Sequence, residues 1–96
     1  MKKHRELDAI LKKHKRHLRK NFKVKEVGIF GSYARDEEME ASDLDILVEF
    51  VEPIGWEFVD LKEYLEDILG LEVDLVTVKA LKPPMRDKIL QEVIYA

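Results

Sequence analysis

Residues 43 to 50, Asp-Leu-Asp-Ile-Leu-Val-Glu-Phe, set Leu44, Ile46 and Val48 in alternation with Asp43, Asp45, Leu47 and Glu49. A period of two describes a strand and is incompatible with one face of a helix, and it projects Asp43 and Asp45 from the same side of that strand. Uncompensated charge is costly in such an apolar run. The pair therefore calls for a partner of opposite sign, and the remaining chain must be arranged to provide for one.

The segments on either side build a layered fold around this strand. Leu7, Ile10, Leu11, His14 and Leu18 recur at helical steps and predict an amphipathic helix over residues 4 to 21, with Asn21 as its stop. Val24 to Phe30 is β-branched and reads as a first strand ending at Gly31, followed by a helical turn at residues 32 to 36. Pro53 and Gly55 punctuate the end of the second strand. Phe58, Leu61, Leu65 and Ile68 mark the next helix, with Gly70 at the usual left-handed cap. Residues 71 to 78 form a third strand with Asp74 inside it. Pro83-Pro84 opens a last helix whose Met85, Ile89, Leu90, Val93 and Ile94 are expected to pack back on the sheet. The order α-β-(α)-β-α-β-α predicts an α/β domain with a three-stranded sheet. That sheet should be mixed, because the link between the first two strands is short.

At 96 residues, with no Ser/Gly-rich or Pro-rich linker, residues 1 to 96 read as one domain. The absence of cysteine excludes disulfides and thiolate metal sites. With no apolar span of membrane length and no cleavable leader pattern, the expected location is the cytoplasm, without membrane contact. Charge is unevenly spread: residues 1 to 25 carry eleven Lys/Arg against two acids, and residues 26 to 96 carry six against eighteen. A basic helix without interleaved aromatics, on an acidic body, fits a solvated face or an acidic partner better than nucleic acid.

Asp43 and Asp45 on one face, with Asp74 on an adjacent strand, would gather three carboxylates. Hard oxygen donors of this kind suit Mg²⁺, with Mn²⁺ as an alternative, rather than zinc. Magnesium held by few carboxylates completes its shell with water and substrate phosphates, which points to phosphoryl or nucleotidyl transfer. Gly31-Ser32, where a strand runs into a helical turn, offers amides, a hydroxyl and a close approach suited to a triphosphate. Separately, a Gly-Ser or an Asp-x-Asp says little; together with a third strand aspartate they make a specific pattern.

The stretch GSYARDEEMEASDLDILV resembles the GS-x10-DxD signature of the DNA polymerase β-type nucleotidyltransferase superfamily. The small size, with GSYAR and SDLDILV, is similar to its minimal nucleotidyltransferase (MNT) branch. Members of that branch act as antitoxins of HEPN-type ribonuclease toxins by transferring AMP from ATP to a toxin tyrosine. The resemblance implies that Asp43 and Asp45 bind two Mg²⁺ ions with Asp74 as the third acid and a candidate to assist deprotonation of the attacking hydroxyl. It implies that Gly31 and Ser32 hold the nucleotide's terminal phosphates. Asp36 departs from the family pattern, which often has Gly there, and is a poorer substitute if that position needs positive φ.

Arg35 is a candidate nucleotide contact, although pairing with the acids of DEEME is the favoured reading. Ser42 is another candidate contact, with capping of the turn before Asp43 as the favoured role. His14 is expected to pack, and Trp56, Phe58 and Tyr64 to serve the core or a partner surface. The leading function is an Mg-dependent nucleotidyltransferase acting from ATP, or another nucleoside triphosphate, on a HEPN-type partner. The alternative is a non-catalytic antitoxin that acts by occlusion. Homo-oligomer formation is left open.

Overall fold

The computed structural model describes residues 2–96. The elements run α1 (His4–Phe22), β1 (Val24–Phe30), β2 (Leu44–Phe50), α2 (Glu57–Leu69), β3 (Val73–Thr77), a short 3-10 turn (Val78–Ala80), α3 (Pro83–Glu92) and β4 (Ile94–Tyr95). The sheet order is β3-β2-β1-β4. β2 and β3 are parallel, joined across α2, whereas β1 pairs antiparallel with both β2 and β4. The sheet is mixed, as expected, and the fold is a small α/β one.

Two apolar clusters form its opposite faces. On one, Leu7, Leu11 and Leu18 of α1 and Leu61, Leu65 and Leu69 of α2 close over Ile29, Ile46, Val48, Val73 and Leu75. The four- and seven-residue spacing of these leucines gives each helix a single apolar stripe, and truncating any fully buried one to Ala should cost about 2–5 kcal/mol. A register shift between Val24 and Glu26 of β1 lets Val24 and Val27, three positions apart, join the same cluster. On the other face Phe30 and Leu47 meet Leu81 and Ile89, from the approach to α3 and from α3 itself. Strand alternation assigns Asp45 to this second face, two positions before Leu47.

Helix ends follow residue chemistry. Gly70 caps α2 at φ 69°, in the left-handed region, and Pro83-Pro84 occupy the first positions of α3, where the missing amide hydrogens cost nothing. The first helix runs one residue beyond Asn21 and stops where Lys23 turns left-handed, its amide donating to Arg19.

Two expectations need correction. The last helix stops at Glu92, and Ile94–Tyr95 leave it to pair with Gly28 and Ile29, giving the sheet a fourth strand. Gly28 explains why this edge accepts a strand so closely, since a Cβ there would lie 2.7 Å from Val93 Cγ2. Within α3, Ile89 is buried, but Met85 and Leu90 are exposed. Of the aromatics expected to serve the core or a partner surface, Phe58 and Tyr64 are half-buried against the core and Trp56 is 86% exposed, which leaves it only the surface role.

Candidate nucleotide and metal site

Asp45 and Asp74 are partners in the parallel β2–β3 register, so their side chains rise side by side from neighbouring strands. Asp43 lies immediately before β2, whose first residue Leu44 donates its amide to Glu72 O at 2.9 Å. Asp43 and Asp74 are exposed, and Asp45 is partly covered. Burial pushes the Asp45 carboxyl up to about 6; the adjacent Asp74 and then Asp43 add to the rise, and Arg35 opposes it. The three acids therefore share one electrostatic environment with too little positive charge in it.

That environment is a test of whether a cation fits. The donor set is three hard oxygen groups, two of them on partner residues of adjacent strands, so the chemistry suits Mg²⁺ or Mn²⁺. Among the described residues, however, no three carboxylate or imidazole groups stand close enough to hold one ion as the side chains are placed. Ligation by all three aspartates requires a side-chain rearrangement at this end of the sheet.

The turn after β1 faces the same place. Gly31 adopts φ 75°, and a Cβ built on it would sit 2.1 Å from Asp45 Oδ2. Only glycine lets this backbone approach the carboxylate so closely. The helical turn predicted at residues 32 to 36 is present: Arg35 N–H donates to Gly31 O at 3.2 Å and Glu37 N–H to Ser32 O at 2.8 Å. Asp36 closes it at φ 57°, the left-handed conformation that the departure from Gly made a question. Ser32 is partly accessible beside Gly31.

Arg35 and Ser42 are both engaged by protein groups. Arg35 Nη1 donates to Glu92 Oε1 at 2.6 Å, and its Nε donates to Glu37. Ser42 Oγ accepts from Met39 N–H at 2.8 Å and so closes the loop that delivers Asp43. These contacts favour positioning roles over direct nucleotide contact. Glu92, which also accepts the Gly31 N–H at 2.8 Å, was not indicated by any sequence pattern, since 61 residues separate the two.

Tyr33, the third residue of the Gly-Ser-Tyr turn, is buried, and its hydroxyl has no hydrogen-bond partner among the described residues. Burial and the nearby Glu38 and Asp43 charges push its pKa up. His14 packs edge-on to Tyr64 and shares a 3.1 Å hydrogen bond with its hydroxyl, a packing role. A cavity of about 340 Å³, lined by Val48, Phe50, Ile54, Phe58 and Val78 among others, lies at the far end of β2 and β3, and the three aspartates do not line it. They stand instead on an open part of the sheet.

Residues 11–96 match the family model of the nucleotidyltransferase domain. The protein adenylyltransferase MntA of Thermococcus cleftensis is 50% identical over 91 residues, covering 94% of this chain and 92% of that protein. A solved structure described as a minimal nucleotidyltransferase superposes with a TM-score of 0.73 at 39% identity, over 93% of this chain and 87% of the other. A complex of a tri-AMPylated Shewanella oneidensis HEPN toxin with an MNT antitoxin matches with a TM-score of 0.65, over 93% of this chain and 70% of the matched one. At 22% identity that last likeness is one of fold.

Proposed function

The chain belongs to the nucleotidyltransferase domain family, and from that premise we propose that it transfers AMP from ATP to a tyrosine hydroxyl of a HEPN-type toxin, as its antitoxin. The observation that carries the reading is the juxtaposition of Asp45 with Asp74 across β2 and β3, with the Gly31 backbone packed directly on Asp45. The 50% identity to a protein adenylyltransferase over nearly the whole chain supports a protein as the acceptor.

In this reading Asp43, Asp45 and Asp74 hold two Mg²⁺ ions. When bound, they supply charge neutralisation along the triphosphate and at the reacting phosphorus. Ser32 contacts the terminal phosphates, and Gly31, lacking a Cβ, lets the turn that carries Ser32 pack directly against Asp45. Arg35 and Ser42 act one step removed, by fixing the turn and the loop that present Gly31 and Asp43. The partner's tyrosine oxygen attacks the α-phosphorus, the bond to the bridging oxygen breaks, and pyrophosphate leaves. Asp74, exposed beside Asp45, is the candidate to assist removal of the hydroxyl proton. The open setting of the aspartates leaves one wall of the site for the partner to complete.

The test is to mix the purified chain with a HEPN-type partner, ATP and Mg²⁺ and to weigh the partner intact. Gain of the mass of AMP on tyrosine, lost with Asp43→Ala/Asp45→Ala, supports transfer. Tight binding with no mass change, and full neutralisation by the double variant, would instead establish inhibition by occlusion.

A further inference from the structure

We propose that Glu92, at the C-terminal end of α3, is a positioning residue of the nucleotide site: its carboxylate sets the turn that presents Gly31 and Ser32. The proposal rests on the reading that this turn meets the nucleotide's phosphates. Both Glu92 oxygens are used, Oε2 accepting the Gly31 amide at 2.8 Å and Oε1 accepting Arg35 Nη1 at 2.6 Å. Arg35 N–H donates in turn to Gly31 O at 3.2 Å, so three hydrogen bonds close a ring through the first and fifth residues of the turn. Asp45 Oδ2 lies against the Gly31 Cα, which leaves the Gly31 backbone held between two carboxylates.

The strap is anchored from behind. Ile89, one turn earlier in α3, is buried, and two residues after Glu92 the chain pairs with β1 at Ile29, directly upstream of the turn. Glu92 thus reaches Gly31 from a fixed base, with its side chain only 15% exposed. Burial alone would push its carboxyl up, but the Arg35 guanidinium and the Gly31 amide outweigh it and hold the group below its usual value. Arg35, held by this strap, also favours the charged form of Asp45. The C-terminal helix is thereby coupled to both halves of the site, although Glu92 itself meets neither phosphate nor metal. Its charge is wrong for a phosphate ligand, and it occupies the Gly31 N–H, so phosphate contact passes to Ser32 and the amides beyond it.

The opposite role is a placeholder, in which Glu92 sits where a phosphate will later displace it. The two roles differ in sign. The experiment measures affinity for a non-hydrolysable ATP analogue with Mg²⁺ by calorimetry, and hydrogen exchange of the Gly31 amide by NMR in the nucleotide-free protein, for wild type, Glu92→Gln, Glu92→Ala, Arg35→Ala and Arg35→Ala/Glu92→Ala. Glu92→Ala should speed exchange at Gly31 and weaken the analogue by ~10-fold or more, the scale of losing charge-assisted hydrogen bonds. Glu92→Gln retains the shape and one acceptor oxygen, and should fall between. In the Arg35→Ala background the Glu92→Ala effect should shrink, because the two act as a unit. Unchanged or tighter binding by Glu92→Ala, or additive effects of the pair, overturns the positioning role while the nucleotide reading stands. Failure of wild type to bind the analogue overturns both.

Discussion

Replacing Asp45 with Asn should stabilise the protein while disabling its site. Burial, reinforced by Asp74 and Asp43, raises the Asp45 carboxyl from 3.8 to about 6 in the folded state. A carboxyl whose folded pKa lies above its unfolded value binds more protons when folded, so its contribution to stability falls as pH rises through that interval. Above pH about 6 the penalty is complete; below about 4 both states are protonated and it vanishes. Two units at about 1.4 kcal/mol each set a ceiling near 3 kcal/mol, and solvent screening of this partly exposed group reduces the working figure to about 1–2 kcal/mol. Asn carries no charge and can donate an amide hydrogen to Asp74, filling the place of a shared proton. Thermal unfolding followed by circular dichroism, with a chelator present, should show Asp45→Asn melting roughly 5–10 °C above wild type at pH 7.5 and near it at pH 4. Adding Mg²⁺ with an ATP analogue should raise the melting temperature of wild type and leave the variant unmoved. Equal or lower stability of the variant at pH 7.5 would refute the claim that burial, reinforced by Asp74 and Asp43, makes the charged Asp45 costly in the folded state.

Gly31→Ala meets both a positive φ and a 2.1 Å encounter with Asp45 Oδ2, so it should lose about 2–4 kcal/mol in urea unfolding and its nucleotide binding as well. Asp36→Gly relieves a left-handed aspartate at φ 57° and should gain about 0.5–1 kcal/mol in the same assay, with activity retained. Tyr33→Phe removes a buried hydroxyl that has no partner among the described residues, and should be neutral or stabilising by up to about 1 kcal/mol; a loss beyond about 1 kcal/mol would mean that the hydroxyl is satisfied in solution.

The strands of the site were legible because their signal is local. An alternation of two marks β2 and sets Asp45 on the face opposite Leu44 and Ile46, although Asp43 falls just before the strand, and Gly70 and Pro83-Pro84 bound their helices by backbone geometry alone. The adjacency of Asp45 and Asp74 was conditional on the third strand lying beside the second, and the parallel β2–β3 pairing across α2 meets that condition. What stayed hidden depends on distant partners. Val93 and Ile94 continue the helical spacing of Ile89 and Leu90, so the switch to a strand at Ile94 shows only once the β1 edge is known. Gly28, in the middle of an apolar strand, was the available sign that another backbone comes close there. Glu92 had no such sign, because a single acid near the end of a helix reads as solvated. Trp56, read with Phe58 and Tyr64 as core or partner surface on one helix, precedes α2 instead of lying on its buried stripe, so only the surface reading is compatible with its exposure.

The account stands most directly on metal binding at the three aspartates, which electron paramagnetic resonance of Mn²⁺ can count in the presence of a non-hydrolysable ATP analogue. Wild type should bind two ions per chain with the analogue, and Asp43→Asn, Asp45→Asn and Asp74→Asn should each weaken or abolish that binding while remaining folded. Mn²⁺ binding that is absent from wild type, or that survives loss of all three carboxylates, would contradict it.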